Sequence, residues 1–169
     1  ALDNGHDVVT LISVKPKSTE SFLYQYATVE WTKLSAEALG IPVIHLQSEK
    51  IGPKEEADEL ESIFRNLNVD AIVVGGVGLQ ETQIREWRRV VGKFGIELIV
   101  PYKNLTSEEL INKEVEAGFD IVITNVATDG LGPEWLGKKI DKETLEELKT
   151  LSKKFGFDIL GEGGYYNSL

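Results

Sequence analysis

The sequence predicts an α/β fold: a three-layer, doubly wound and mostly parallel sheet with helices on both faces. Short apolar runs rich in Val and Ile, typical of buried strands, alternate with longer stretches whose apolar residues recur every three or four positions, typical of amphipathic helices. Glycine and proline separate these stretches. Strands that alternate with helices form a parallel sheet through right-handed crossovers, as in Rossmann-like folds. With 169 residues, 41% of them hydrophobic, the chain is expected to form a single α/β domain over residues 1–169.

The apolar runs that predict strands lie at residues 8–14, 42–46, 71–74, 97–100, 121–126 and 157–160. The run at 121–126 carries Ile121, Val122, Ile123 and Val126. A run of this composition is typical of a strand that is buried on both faces in a parallel sheet covered by helices. We therefore expect this strand to lie inside the fold.

The predicted helices show the three- and four-residue apolar spacing and run over residues 28–39, 53–67, 84–94, 106–118 and 142–155. Trp31, Leu34 and Ala38 lie on one apolar face of the first helix. The carboxylates within residues 54–61 are predicted to form the solvated outer face of the second helix.

The composition narrows the class of function. The formal net charge of -10 argues against sequence-independent binding to nucleic acid or to an anionic membrane, because both depend on clustered Lys and Arg. A small molecule, a nucleotide or a protein is the expected partner. There is no cysteine, and His6 and His45 are the only histidines, so neither a metal site nor a hydrolase triad is supported. No catalytic residue is assigned.

Location and origin can also be predicted. No apolar run approaches the roughly 20 residues that span a bilayer. No signal-peptide pattern opens the chain, so a cytoplasmic location is expected. Methionine is absent, a property that favours an engineered, trimmed or processed sequence.

Three loops follow predicted strands at their carboxyl ends, where ligands lie in open α/β sheets. The first loop contains Gly75, Gly76 and Gly78 and leads into the helix at 84–94. Its N–H groups and the following helix N-terminus suit a phosphate or another anion of a cofactor. The alternative is a tight strand-to-helix turn without a ligand.

The second loop offers an amide, a hydroxyl and a carboxylate to a cofactor, from Asn125, Thr128 and Asp129, followed by Gly130. The alternative is that Asp129 and Gly130 only make a turn.

The third loop provides candidate substrate-binding residues, which are Glu162, Gly163, Gly164, Tyr165 and Tyr166. Glu162 can accept a hydrogen bond from a ribose or a substrate amine, or it can cap a neighbouring helix. Tyr24 and Tyr26, like the tyrosines of this loop, offer stacking surfaces, or else lie half buried with a polar tip.

Several blocks of sequence carry a family resemblance. They are Ser21-Phe22-Leu23-Tyr24, residues 34–42, Asp129-Gly130-Leu131 with Trp135-Leu136-Gly137, and Gly161-Glu162-Gly163-Gly164. Together, and in this order, they resemble the diphthine-ammonia ligase family of N-type ATP pyrophosphatases, which have the adenine nucleotide alpha-hydrolase-like fold. The resemblance implies ATP-dependent amidation of diphthine on elongation factor 2, through an adenylated intermediate with ammonia as the nucleophile. It also implies that Mg-ATP is bound chiefly by a Ser-Gly-Gly-Lys-Asp-Ser loop after the family's first strand.

The chain departs from the family pattern at polar positions of the site. It contains no Ser-Gly-Gly-Lys-Asp-Ser loop and opens within the helix that would follow it, without the family's central first strand. Gln25 stands where a His is usual, and Ser35 where a Gln is usual. Tyr165 and Asn167 stand where the family has acids. Gln25, as the altered family position, is kept among the candidate substrate-binding residues.

Three hypotheses follow from the resemblance and its departures. The first is a truncated or redesigned derivative of the ligase scaffold, with little or no catalysis. The second is an active ATP-dependent amide ligase whose N-terminal segment lies outside this sequence. The third is a small-molecule binding module, engineered or natural, with a pocket lined by tyrosines. A sheet without its central strand also exposes strand edges, so a rearranged strand order or a homodimer is expected.

Overall fold

The structure is a computed structural model that describes residues 1–75 and 79–169. Its contacts divide the chain into two compact units. The N-terminal unit comprises Ala1–Val74 and Leu79–Pro101, and the C-terminal unit comprises Tyr102–Leu169 together with Gly75. That residues 1–169 form one domain stays a prediction.

Two pairs of parallel strands form the sheets of the N-terminal unit. The strands are β1 (Leu11–Pro16), β2 (Val43–Ser48), β3 (Ala71–Val73) and β4 (Glu97–Ile99). β1 lies beside β2, with Leu11 opposite Val43, and β3 lies beside β4, with Ala71 opposite Glu97. The strands predicted in this region are therefore confirmed, although their ends shift by a few residues.

The helices of the N-terminal unit are α1 (Thr32–Leu39), α2 (Pro53–Glu59), α3 (Glu61–Phe64) and α4 (Glu81–Gly92), with 3-10 turns at Leu2–Asn4 and Val29–Trp31. Ala57, Leu60 and Phe64 recur at three- and four-residue spacing, and each is at most 1% exposed. They share one core with Val90 and Val91 of α4. Burial of Phe64 alone stabilises this core by about 1.5 to 3 kcal/mol. The apolar periodicity predicted for α2, α3 and α4 is confirmed, although the helix predicted at 53–67 is divided into α2 and α3 at Leu60.

The apolar face of α1 does not pack as a core face. Trp31, Leu34 and Ala38 are all exposed. The opposite side of the helix contacts the sheet instead, where Thr32 Oγ1 accepts a hydrogen bond from the Ser13 hydroxyl of β1 at 3.1 Å. Ala36, one turn after Thr32, is buried. Short side chains allow α1 to approach the sheet closely, and the large apolar side chains are left at the surface.

The C-terminal unit contains α5 (Ser107–Glu116), β5 (Ile123–Val126), a 3-10 turn (Pro133–Trp135), α6 (Lys142–Phe155) and β6 (Tyr166–Ser168). Thr106 begins α5 with a capping box, because its hydroxyl accepts from the Glu109 N–H at 3.2 Å and the Glu109 carboxylate accepts from the Thr106 N–H at 2.7 Å. The core of this unit includes Ile111 of α5, Trp135 and Leu148 of α6.

The strand predicted at residues 157–160 is wrong, and the last strand is β6. The Asp158 carboxylate accepts from the Leu160 N–H at 2.8 Å, and the Asp158 carbonyl accepts from the Gly161 N–H at 2.9 Å. These bonds turn the backbone instead of extending it. Phe157 and Ile159 are nevertheless buried, which explains an apolar run that is not a strand.

β5 and β6 are antiparallel, so the expectation of a parallel last strand is also wrong. β5 is buried on one face only. Ile123, which is 0% exposed, lies in the core and Val126 packs against it, while Thr124 and Asn125, at an irregularity in the pairing with β6, are both exposed. Burial on both faces, as predicted for this strand, is therefore incorrect, and a single covered face is typical of antiparallel sheets. The described strands form three two-stranded sheets, and their combination with helices confirms the α/β class.

Within residues 1–75 and 79–169, no helix combines the length and the apolar character that crossing a membrane requires.

Candidate functional site

The pairing of β5 with β6 brings two of the predicted loops together in the C-terminal unit. Asn125 lies opposite Asn167, and the Ala127 N–H donates to the Tyr165 carbonyl at 2.8 Å. We call residues 125–130 and 161–167 the β5–β6 loops. The remaining predicted loop is the one that begins at Gly75, which is exposed. Gly76 and Gly78 lie outside the described residues, so an anion site in that loop stays a prediction.

The first β5–β6 loop presents polar side chains on a tightly held backbone. Asn125 and Asp129 are exposed, while Thr128 is half-buried and donates a long hydrogen bond of 3.4 Å to the Asp129 carbonyl. Gly130 has a φ of 91°, and a Cβ at this position would lie 2.7 Å from Cε2 and 2.8 Å from Cγ of Phe155. Glycine is therefore required here by the backbone conformation and by the aromatic ring above it.

The second β5–β6 loop is anchored at its first glycine. Gly161 is buried with a φ of 78°, and a Cβ there would collide with the carbonyl oxygen of Tyr166. Gly163, Gly164 and Glu162 are exposed. Desolvation of the carboxyl by the loop, together with the negative charge of Asp158, raises the pKa of Glu162 above its ordinary value.

The tyrosines of this loop have different surroundings. Tyr166 is only 2% exposed, and its hydroxyl donates to the carbonyl of Ile159. Burial raises the pKa of Tyr166 well above its usual range, and nearby carboxylates raise it further. Tyr165 is half-buried, with its ring centroid 6.3 Å from that of Phe157. Tyr166 is thus a core residue, and Tyr165 keeps part of its surface available.

The candidate residues of the N-terminal unit follow β1. The Tyr24 hydroxyl donates to the Glu56 carbonyl at 2.5 Å, and its ring lies edge-on to Trp87 at a centroid distance of 6.4 Å. Burial of the hydroxyl raises the pKa of Tyr24 far above its usual range, and the negative charges of Glu59 and Glu56 raise it further. Gln25 and Tyr26 are exposed. Of these three residues, Gln25 and Tyr26 are therefore the ones available to a ligand.

Glu56 is a buried carboxylate beside the candidate residues, and its burial was not predicted from the sequence pattern. It was expected on a solvated helix face, but it is 0% exposed. Its carboxylate accepts hydrogen bonds from the Ser21 hydroxyl at 2.9 Å and from the Leu23 N–H at 2.8 Å. The signal was present in the spacing, because Glu56 precedes Leu60 by four residues and so shares its buried face.

The β5–β6 loops by themselves do not fit a triphosphate. A bound triphosphate needs cationic side chains or a row of N–H donors, with oxygen ligands for its Mg²⁺. These loops contain no Lys or Arg, and Asp129 and Glu162 are acidic. In the part of the chain that the structure describes, no three or more His, Cys, Asp or Glu side chains are grouped to hold a metal ion.

Comparison with known proteins gives a consistent family. Residues 1–98 match the family model for the diphthamide synthase N-terminal domain, and residues 106–169 match that for the diphthamide synthase C-terminal domain. The boundary between these matches includes Pro101 and Tyr102, where the two structural units also divide.

Curated relatives are named diphthine-ammonia ligase. The chain is 29% identical to the protein from Schizosaccharomyces pombe, over 98% of this chain and 30% of that protein. It is 28% identical to the Bos taurus protein and 27% identical to the Homo sapiens protein, in both cases over 97% of this chain and 69% of the relative. The chain thus spans less than a third of the yeast relative and about two thirds of the mammalian ones. Since a family model matches more than half of its length, the chain belongs to the diphthamide synthase family.

Proposed function

We propose that this chain keeps the scaffold of an ATP-dependent diphthine-ammonia ligase but has a remodelled site, with little or no catalysis of its own. In this proposal its scaffold is the three-layer, Rossmann-like fold of adenine nucleotide alpha-hydrolases. The ligands of that scaffold are a nucleotide with Mg²⁺ and the diphthine side chain of elongation factor 2, and the location in this proposal is the cytoplasm. Neither nucleic acid nor a membrane is a partner.

The observation that supports this proposal most directly is the surroundings of Tyr165 and Asn167, which occupy the family's acidic positions. The Tyr165 ring packs beside that of Phe157, and Asn167 is a half-buried residue of β6 opposite Asn125. Neither side chain carries the negative charge with which a carboxylate binds Mg²⁺ or accepts a proton. Both positions therefore contribute to the fold, without the chemistry that acids would supply.

The charge of the β5–β6 loops supports the same proposal. Neither loop supplies a Lys or Arg to neutralise the charge of a triphosphate. No step of a reaction is therefore assigned to these loops.

An active amide ligase is the second candidate function. It is favoured by the extent of the similarity, since relatives named diphthine-ammonia ligase align with 97% or more of this chain. The blocks Asp129-Gly130-Leu131 and 161–164 also retain the family residues. In this alternative the substituted positions are tolerated, and the chain forms the amide together with an N-terminal segment that lies outside this sequence.

Two measurements on the protein expressed from its complete coding sequence distinguish the candidates. The first is a calorimetric titration with Mg-ATP. The second is the formation of AMP from ATP in the presence of ammonium and elongation factor 2 that carries diphthine, with the human diphthine-ammonia ligase as the positive control. We expect no saturable binding below millimolar ATP and no AMP above the level without enzyme. Micromolar binding, or AMP release that depends on elongation factor 2, would overturn the proposal in favour of an active ligase.

A further inference from the structure

The carboxylate of Glu56 binds the backbone of the segment that precedes Gln25 and Tyr26. Besides the Ser21 hydroxyl and the Leu23 N–H, it accepts from the Phe22 N–H at 3.1 Å to each of its oxygens. Oε1 also accepts from the Gly52 N–H at 3.1 Å, at the start of α2. The carboxylate thus connects the beginning of α2 to the loop after β1.

These contacts make the buried charge specific to one backbone conformation. A buried carboxylate is costly unless hydrogen bonds replace its lost hydration. Each donor to Glu56 named above is a neutral N–H or O–H group, so the compensation depends on the loop keeping its shape. If the segment 21–24 opens, the Glu56 carboxylate loses hydrogen-bond donors while the protein still shields it from water, which is unfavourable.

The same segment is held at further points. The Ser21 Oγ, which donates to Glu56, also accepts from the Tyr24 N–H at 3.1 Å. The Tyr24 hydroxyl returns to α2 by donating to the Glu56 carbonyl. In addition, the side-chain amide of Gln83 in α4 donates to the Phe22 carbonyl. Residues 21–24 are therefore fixed on both sides.

We propose that Glu56 is a positioning residue, which fixes the backbone of residues 21–24 so that Gln25 and Tyr26 are presented to the protein substrate. The identity of that substrate rests on the proposed function, whereas the fixing of the loop does not. Gln25 and Tyr26 follow the fixed segment directly and are exposed, with 45% of Tyr26 accessible. A preformed loop binds more tightly, because less conformational entropy is lost on association.

The first test is amide hydrogen exchange, followed by NMR on the chain without ligand. In Glu56→Gln, one oxygen is replaced by an NH2 group, which faces backbone N–H donors whichever way the amide turns. We expect the Phe22 and Leu23 amides to exchange at least tenfold faster, while the amides of β1 and β2 keep their rates. Unchanged exchange at Phe22 and Leu23 in a folded variant would overturn the proposal.

Matched variants separate loop positioning from general loss of stability. Glu55→Gln removes an exposed carboxylate from the neighbouring position of α2 and should leave every rate within about twofold. If Glu56→Gln does not fold, Ser21→Ala provides the decision, because it keeps the Glu56 carboxylate but removes one of its donors together with the acceptor of the Tyr24 N–H. Exchange at Tyr24 should then accelerate tenfold, and a rate equal to that of the unsubstituted chain refutes the inference.

The second test measures binding of elongation factor 2 that carries diphthine. We expect Glu56→Gln to weaken binding at least tenfold and Glu55→Gln to leave it unchanged. A Glu56→Gln chain with an opened loop and undiminished binding would contradict the role in presenting Gln25 and Tyr26. If the unsubstituted chain does not bind elongation factor 2, the proposed partner is wrong, and the exchange experiment alone decides whether Glu56 fixes the loop.

Discussion

Replacement of Gly130 by Ala should destabilise the C-terminal unit by two separable effects. The backbone φ of 91° costs an alanine about 1 to 2 kcal/mol. The added Cβ also forces the Phe155 ring to move, since it would lie 2.7 Å from Cε2. Phe155 is 42% exposed, so only a little more than half of it is buried, and loss of that burial is worth about 1 kcal/mol. We therefore expect the free energy of unfolding to fall by about 2 to 3 kcal/mol.

Gly137→Ala is the matched control. Gly137 has a φ of 77°, but an added Cβ would have nothing within 4 Å. Urea unfolding should therefore show only the backbone cost of about 1 to 2 kcal/mol for this variant. In a Phe155→Ala background, the cost of Gly130→Ala in the free energy of unfolding should fall to that same value, because the ring that the added Cβ would displace is absent. Equal costs of Gly130→Ala and Gly137→Ala, or a cost of Gly130→Ala that Phe155→Ala does not reduce, would refute the reasoning.

Three further predictions concern buried or paired polar groups. Tyr166→Phe removes the donor to a buried carbonyl and should lower the free energy of unfolding in urea by about 1 to 2 kcal/mol. Tyr165→Phe should change it by less than about 0.5 kcal/mol, and equal effects of the two substitutions would contradict the core role of Tyr166. The hydrogen bond from Lys54 and the ion pair with Arg89 lower the pKa of Asp58 to about 2, so Asp58→Asn should lose about 1 kcal/mol at pH 7. That loss should vanish as the pH falls towards 2, and a loss independent of pH would count against the ion pair. Burial raises the pKa of Glu114 in the folded chain, so its ionisation lowers stability as the pH rises through that pKa. Glu114→Gln should be more stable than the unsubstituted chain at pH 7 and equally stable at pH 3, and the opposite order at pH 7 would disprove the effect of burial.

Local patterns in the sequence predicted the elements whose partners lie nearby or whose periodicity is strong. Ala57, Leu60 and Phe64 have the spacing of one helix face and do form a core. Periodicity alone did not tell which face is covered. Trp31 and Leu34 belong to an apolar face, yet α1 meets the sheet through its smaller residues.

The errors near the carboxyl end have a similar origin. Residues 157–160 are apolar because they enter the core, but the Asp158 side chain bonds the backbone two residues on and forms a turn. The side-chain hydrogen bond outweighs the apolar pattern there. Of the candidate site residues, Thr128 to Gly130 and Glu162 to Tyr165 lie in loops, whereas Asn125 and Tyr166 lie in β5 and β6. The core role of Tyr166 and the burial of Glu56 depend on tertiary contacts, which spacing does not reveal.

The tryptophans offer an optical measure of each unit. Trp135 is 2% exposed in the core of the C-terminal unit, and Trp87 packs against the core of the N-terminal unit. Replacing Trp31, which is 52% exposed, by Phe would remove the emission that reports on solvent rather than on folding. Pairing that change with a substitution at Trp87 or Trp135 leaves one fluorophore for one unit. Coincident denaturation curves from the two chains would mean that residues 1–169 unfold cooperatively as one domain, and separated curves would assign each unit its own stability.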